Sequence, residues 1–255
     1  MNVLNLFRLE GKVALVTGAG RGLGQAMALA LAEAGADIAG LYEHYYSQTQ
    51  EMVARLGRRF LPVPCDLRTA SVERLGQVVD LVVKELSGLD ILVNNAGVIL
   101  RSAALEFSEA DWDATLQINL KALFFLSKAA ARVMAERGGG KIINVASVLS
   151  FQGGIRVPAY TAAKSGVAGL TRALANEWAS QGINVNAIVP GYMVTDNTAA
   201  LRADAERAEA ILARIPAGRW GTPEEVQGAV LFLDSAASDY VHGALVAVDG
   251  GWLAR

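Results

Sequence analysis

Tyr160 and Lys164 stand four apart in the stretch YTAAK at 160–164. Four residues span about one helical turn, so the two side chains lie on one face. A free phenol has a pKa of about 10, too high to serve as a base near neutrality. An ammonium beside it stabilises the phenolate and lowers that value. The pair is therefore either an acid held ready by a cation or the polar surface of an ordinary amphipathic helix. A second stretch, TGAGRGLG at 17–24, follows a short apolar run and opens an Ala- and Leu-rich helical pattern. Glycines there permit a tight turn and let backbone N–H groups approach a pyrophosphate, and a helix N-terminus favours the negative charge. The turn predicts dinucleotide binding, although its spacing, with Thr17, Gly18, Gly22 and Gly24, differs from the usual G-x-G-x-x-G.

The elements that must position these residues alternate along the chain. KVALVTG (12–18), ADIAGLY (36–42), FLPVPCD (60–66), DILVNNAG (90–97), GKIINVAS (140–147), INVNAIVPG (183–191) and ALVAVDGG (244–251) read as strands. Helical patterns include 23–35, 111–136, 158–181 and 223–236, and Gly35 stops the first of them. Pro62 and Pro64 cannot donate to a ladder, which puts their strand at a sheet edge. Repeated strand–helix–strand units predict an α/β fold of Rossmann type, a doubly wound parallel sheet with helices on both faces. No repeat, low-complexity tract or linker interrupts 1–255, so a single domain is expected. Such a sheet binds ligands beyond the carboxyl ends of its strands. Those ends are TGAGRGLG, Tyr42–Glu43, CDL (65–67), NNAG (94–97), ASVLS (146–150) and PGYMVT (190–195), all polar or Gly-rich.

Composition bounds the partners. Of 255 residues 53% are apolar and 19% charged, which allows a sizeable core. A net charge of −2 with no basic block argues against nucleic acid. Cys65 is the one cysteine and cannot close an internal disulfide. No uninterrupted apolar run reaches about 18 residues, and no signal-peptide pattern opens the chain. A soluble cytoplasmic protein with no membrane partner is expected, and no metal site is assigned.

The glycine spacing resembles that of the short-chain dehydrogenase/reductase family, and the likeness covers nearly the whole chain. Its other marks are NNAG, Asn119 in LQINL, Ser147 in INVAS, YTAAK and PGYMVT. Ser147 precedes Tyr160 by thirteen residues, a distance common in that family. The resemblance implies that Tyr160 exchanges a proton with the substrate oxygen while hydride moves to or from nicotinamide. It implies that Lys164 lowers the phenol's pKa and holds the nicotinamide ribose, and that Ser147 bonds the substrate oxygen. Asn119 would join Lys164 to solvent through a water. By motif, the cofactor meets Thr17, Gly18, Arg21, Gly22, Leu23 and Gly24 at the turn. Asp66 and Leu67 would lie at adenine, and Asn94, Ala96 and Gly97 would line the adenosine ribose side and support the sheet. Pro190, Gly191 and Thr195 would lie at the nicotinamide end. Asp90 and Asp249 are read as turn residues. A homotetramer is implied, built on the helices at 111–136 and 158–181 and on the C-terminal strand, with Trp252 buried between subunits.

NAD is favoured over NADP. Glu43 follows the second strand, one place past the usual acidic slot held by Tyr42, and an acid there repels a 2′-phosphate. Arg21 pulls toward NADP, but LYEHYYSQTQ holds no Arg or Lys to complete a phosphate clamp. ALEFSEADWD (104–113), the stretch 139–167, RIPAGRWG (214–221) and VDGGWLAR (248–255) resemble the 2-dehydro-3-deoxy-D-gluconate 5-dehydrogenases. Gluconate 5-dehydrogenase is a near alternative, 3-oxoacyl-carrier-protein reductase a further one, and a nucleotide-sensing scaffold the non-enzyme one. A sugar acid needs an anion site, for which Arg101 and Arg156 are candidates, and hydroxyl partners, for which Ser150 and Gln152 are candidates. The stretch 192–215 is charged on one side and apolar on the other and is expected to form a helical lid.

Overall fold

The structure is a computed structural model that describes residues 2–44 and 47–255. Its strands are β1 (Val13–Thr17), β2 (Asp37–Tyr42), β3 (Phe60–Pro64), β4 (Ile91–Asn94), β5 (Gly140–Val145), β6 (Ile183–Pro190) and β7 (Leu245–Val248). Its helices are α1 (Gly22–Glu33), α2 (Ser47–Arg55), α3 (Val72–Leu86), α4 (Glu109–Leu116), α5 (Ala122–Glu136), α6 (Pro158–Trp178), α7 (Ala199–Ala203), α8 (Ala205–Leu212) and α9 (Gln227–Asp234). The strands form one sheet in the order β3-β2-β1-β4-β5-β6-β7, and every pairing is parallel. The proline-bearing β3 lies at an edge, as its missing donors require. Among the described residues no helix is long and apolar enough to cross a membrane.

Strand side chains alternate between the two faces, and both faces are covered. Leu15 of β1 packs with Leu75 of α3 and Leu126 of α5. Its neighbours Ala14 and Val16 pack with Met27 and Leu31 of α1 and Val230 and Leu233 of α9. A third cluster sits beyond the strand ends, where Ile211 and Ile215 join Trp252, Tyr192 and Val189. This cluster corrects the expectation for Trp252. The indole is only 4% exposed within its own chain, packed 4.6 Å from the Tyr192 ring, and needs no second subunit to cover it. Asp90 accepts from Lys12 Nζ and the Val13 N–H, and the Asp249 carboxylate accepts from the N–H groups of Gly251 and Leu253. Both serve the backbone, as expected.

Candidate active site

From β1 the chain runs to β2 on one side, while β4 pairs with β1 on the other. The crevice at this reversal of strand order is where such sheets take ligands. The Gly-rich turn and the residues after β4 meet there. Gly18 has a φ of 67° and Gly22 of 55°, the left-handed region that suits glycine. A Cβ on Gly24 would lie 2.1 Å from the Gly18 carbonyl oxygen, so only glycine lets α1 begin so close to the turn. Arg21, at the N-cap of α1, makes no side-chain capping hydrogen bond to the helix. The first N–H groups of this twelve-residue helix are thus left to a ligand, which fits a pyrophosphate.

Asn95, which sequence reasoning passed over, secures this turn. Its Nδ2 donates to the Thr17 carbonyl at 2.9 Å, and its N–H donates to Thr17 Oγ1 at 2.9 Å. The Ala96 N–H donates to the same hydroxyl. Thr17 is buried and fully engaged, so it shapes the turn and does not face the cleft. For Asn94 the sheet-supporting half of the expectation is what the structure shows, and the ribose half is corrected. The side chain is buried within the sheet, where its Nδ2 donates to Ser127 Oγ and Asn144 Oδ1, away from any ribose. In a strand, adjacent residues point to opposite faces, and the neighbouring asparagine has the outward role.

Beyond β2 and β3, Glu43, Cys65, Asp66, Thr69, Ser71 and Arg74 line a cavity of about 500 Å³. Asp66 folds its loop, accepting from the Arg68 N–H and from Thr69 Oγ1. The Leu67 carbonyl accepts from Gln117 Nε2. Glu43 contacts His44 Nε2 at 2.8 Å. Arg21 pairs with Asp196, in the segment after β6, and is not a free cation awaiting a phosphate. Thr195 lies beside the turn, its methyl carbon 3.6 Å from where a Cβ on Gly22 would stand. Gly191 donates to the Val248 carbonyl, and a Cβ there would lie 2.6 Å from Asp249 Cα.

Ser147 follows β5, and Tyr160 and Lys164 project from α6. The Ser147 hydroxyl stands close enough to the Tyr160 hydroxyl to favour its ionised form. Burial pushes that phenol up to about 12, against the opposing Ser147 hydroxyl and Arg101 charge. Burial pushes the Lys164 ammonium down to about 8. Its Nζ donates to the Val145 carbonyl and lies 5.5 Å from the Tyr160 ring centroid. Lys164 is not among the charges that act on the phenol here. Desolvation dominates and Arg101 supplies the opposing charge, so Tyr160 is a protonated acid at neutral pH. Ser150 is spent on the backbone, donating to the Lys164 carbonyl at 2.7 Å and accepting from the Ser147 N–H. It braces this trio and is not a hydroxyl partner for substrate.

Asn119 lies in a π-helical turn, Gln117–Lys121, between α4 and α5. Single wide turns of this kind recur at functional sites. Its Nδ2 donates to the carbonyls of Val98 and Thr115, while its buried Oδ1 has no partner among the described residues. A Cβ on Gly97 would lie 2.5 Å from that oxygen, so Gly97 makes room for Asn119.

At the outer end of the cleft, Arg101 Nη2 donates to the Asn197 carbonyl at 3.0 Å. Gln152 Oε1 accepts from Arg214 Nη2 at 2.8 Å, a contact across 62 positions. Arg156 is exposed with a φ of 65°, and its carbonyl accepts from the Ser102 N–H. Of the two candidate arginines, only Arg101 acts on the Tyr160 phenol.

A family model described as enoyl-(acyl carrier protein) reductase matches residues 18–253. The chain is also 59% identical to the 2-dehydro-3-deoxy-D-gluconate 5-dehydrogenase of Escherichia coli, across 99% of this chain and 100% of that one. The chain belongs to the short-chain dehydrogenase/reductase family. It is accordingly an oxidoreductase. Two solved members of the family are similar throughout. One, from Agrobacterium tumefaciens, is assigned as a 2-deoxy-D-gluconate 3-dehydrogenase with bound NADP. It is 55% identical with a TM-score of 0.89, covering 98% of this chain and 100% of that one. The other is a gluconate 5-dehydrogenase from Burkholderia cenocepacia in complex with NADP and tartrate. It is 38% identical with a TM-score of 0.95, covering 100% of each chain.

Proposed function

We propose that this member of the family moves a hydride between NAD(H) and a keto or hydroxy sugar acid. The pair is most directly 2,5-diketo-3-deoxygluconate and 2-keto-3-deoxygluconate. One observation carries the acid specificity: the positive charge of Arg101 acts on the phenol of Tyr160, the group placed to hand its proton to the substrate. The full-length likeness to the Escherichia coli enzyme supports the sugar-acid class. The nicotinamide, when bound, supplies or takes up the hydride. The N–H groups of Gly22, Leu23 and Gly24, behind Gly18, would hold its pyrophosphate, and Asp66 and Leu67 the adenine. Ala96 and Gly97 would flank the ribose side, and Pro190, Gly191 and Thr195 the other end. Lys164 would bond the second ribose.

In the reducing direction Tyr160 gives its hydroxyl proton to the carbonyl oxygen, which becomes the alcohol. Ser147 donates a hydrogen bond to that oxygen as negative charge gathers there. Lys164 carries a proton near neutrality and stands at the same ring, so it restores the phenol, with Asn119 completing the path to solvent. Glu43 opposes a 2′-phosphate and Arg21 is engaged by Asp196, which together favour NAD, although the solved relatives hold NADP. A homotetramer built on α4, α5 and α6 belongs to the same proposal, and sedimentation velocity tests it. The deciding assay offers 2,5-diketo-3-deoxygluconate, gluconate and a 3-oxoacyl thioester with each cofactor at the NADH absorbance. The diketo acid with NADH should give the highest kcat/KM. Preference for the thioester would overturn the proposal.

A further inference from the structure

We propose that Arg207 and Arg214, together with the Tyr192 hydroxyl, form the seat for the substrate's carboxylate, brought to the cleft by the 192–215 segment. The inference rests on the acid-substrate reading above. Tyr192 follows Gly191 at the end of β6, and its ring packs edge-on to Trp220 at 5.5 Å and against Trp252 at 4.6 Å. The Arg214 guanidinium lies 4.1 Å from the Trp252 ring centroid. Tyr192 and Arg214 thus share one aromatic platform, and the Gln152 contact fixes Arg214 to the loop between Ser147 and Tyr160. Arg207 sits one turn before Ile211 on α8, and Ile211 is buried in the cluster that holds Trp252 and Tyr192. Arg207 therefore stands on the helix face turned to the platform.

Three positive charges, from Arg207, Arg214 and Arg101, act on the Tyr192 phenol, whose burial raises its pKa. Among the described residues none of the three forms an ion pair, whereas Arg21, Arg58, Arg59 and Arg219 each have a carboxylate. Convergent cations repel one another, and an anion between them removes that cost. A planar carboxylate matches the guanidinium fork. Arg101 acts on both Tyr160 and Tyr192, which joins the proton donor to the seat. The ligand class is a hydroxy or keto acid whose reacting carbon lies several bonds from a terminal carboxylate.

The test compares wild type, Arg207→Met, Arg214→Met and Arg214→Lys on 2,5-diketo-3-deoxygluconate and its C1 amide. Calorimetric titration with D-gluconate adds a measure that needs no turnover. Each Met variant should lose about ten- to a hundredfold in kcat/KM on the acid, with a similar rise in the gluconate Kd. Activity on the amide and cofactor affinity should not move. The Lys variant should recover part of the loss, which repair of packing alone would not confine to the acid. Wild type that prefers acid to amide, with both Met variants preferring it equally, would overturn the seat and leave the acid reading standing. Wild type indifferent to the carboxylate, with no gluconate binding, would overturn both.

Discussion

The Lys164 ammonium donates to the carbonyl of Val145, the last residue of β5, at 2.5 Å. This bond ties α6 to the strand that precedes Ser147, so it fixes the spacing of the three polar groups at the strand ends. It also holds a charge in a buried place, which the chain bears as a stability cost.

That cost has a pH signature. The buried amine titrates near 8 and the unfolded one near 10.5. Below pH 8 both states carry the charge, and the folded state bears the full burial penalty. Between these values the unfolded chain holds more protons, so stability rises with pH. Tyr160 opposes this only above about pH 10, where its phenol ionises in the unfolded chain and stays protonated in the folded one. Urea unfolding near pH 8 and near pH 10 should show wild type gaining about 2 kcal/mol over Lys164→Met. Parallel behaviour of the two proteins would contradict the assignment.

Arg101 and Arg156 separate in their effect. Arg101 reaches the phenol, while Arg156 is exposed and turned by its left-handed backbone. Arg101→Met should lower kcat/KM on the acid by about ten- to a hundredfold, matching the roughly 1.5–3 kcal/mol of a charge-assisted bond. Arg156→Met should stay within a factor of about three. Kinetics on one acidic substrate reads both, and a larger loss at Arg156 would reverse the assignment.

Asp234, the last residue of α9, is 3% exposed and neither carboxyl oxygen has a hydrogen-bond partner among the described residues. Burial raises its pKa well above the ordinary 3.8, against a partial opposing effect of Lys141. The folded chain keeps the proton that the unfolded chain releases above about 3.8, so stability falls as pH rises from there. Asp234→Asn lacks this decline. Its Tm advantage over wild type should widen as pH rises from 4 to 7. A constant gap in thermal scans would contradict the account.

The sheet and its ligand edge were legible because their signals are local. Short apolar runs, each ending in Gly or a polar cluster, marked the strands, and Pro62 and Pro64 marked the edge. Ser147, Tyr160 and Lys164 were legible because their spacing and helix setting lie in one short stretch. What escaped depends on direction or on long separations. Asn94 and Asn95 differ by one pleat, and composition does not say which points inward. The wide turn that sets Asn119 is a slip of one residue in a helical pattern, invisible to periodicity. Arg21 meets Asp196 across 175 positions, and the Trp252 ring finds its cover in Tyr192 and Arg214 of the same chain. Such partners exist only once the sheet has brought its strand ends together.

The proton-transfer role of Tyr160 is the centre of this account, and Tyr160→Phe tests it most directly. The substitution keeps the ring that packs beside Lys164 and removes only the hydroxyl. Turnover of 2,5-diketo-3-deoxygluconate with NADH should fall by roughly three orders of magnitude or more, in line with the loss of a positioned general acid. NADH affinity, measured by fluorescence titration, should remain at the wild-type value. A variant that binds NADH normally and turns over within about tenfold of wild type would contradict the role of Tyr160 as the acid.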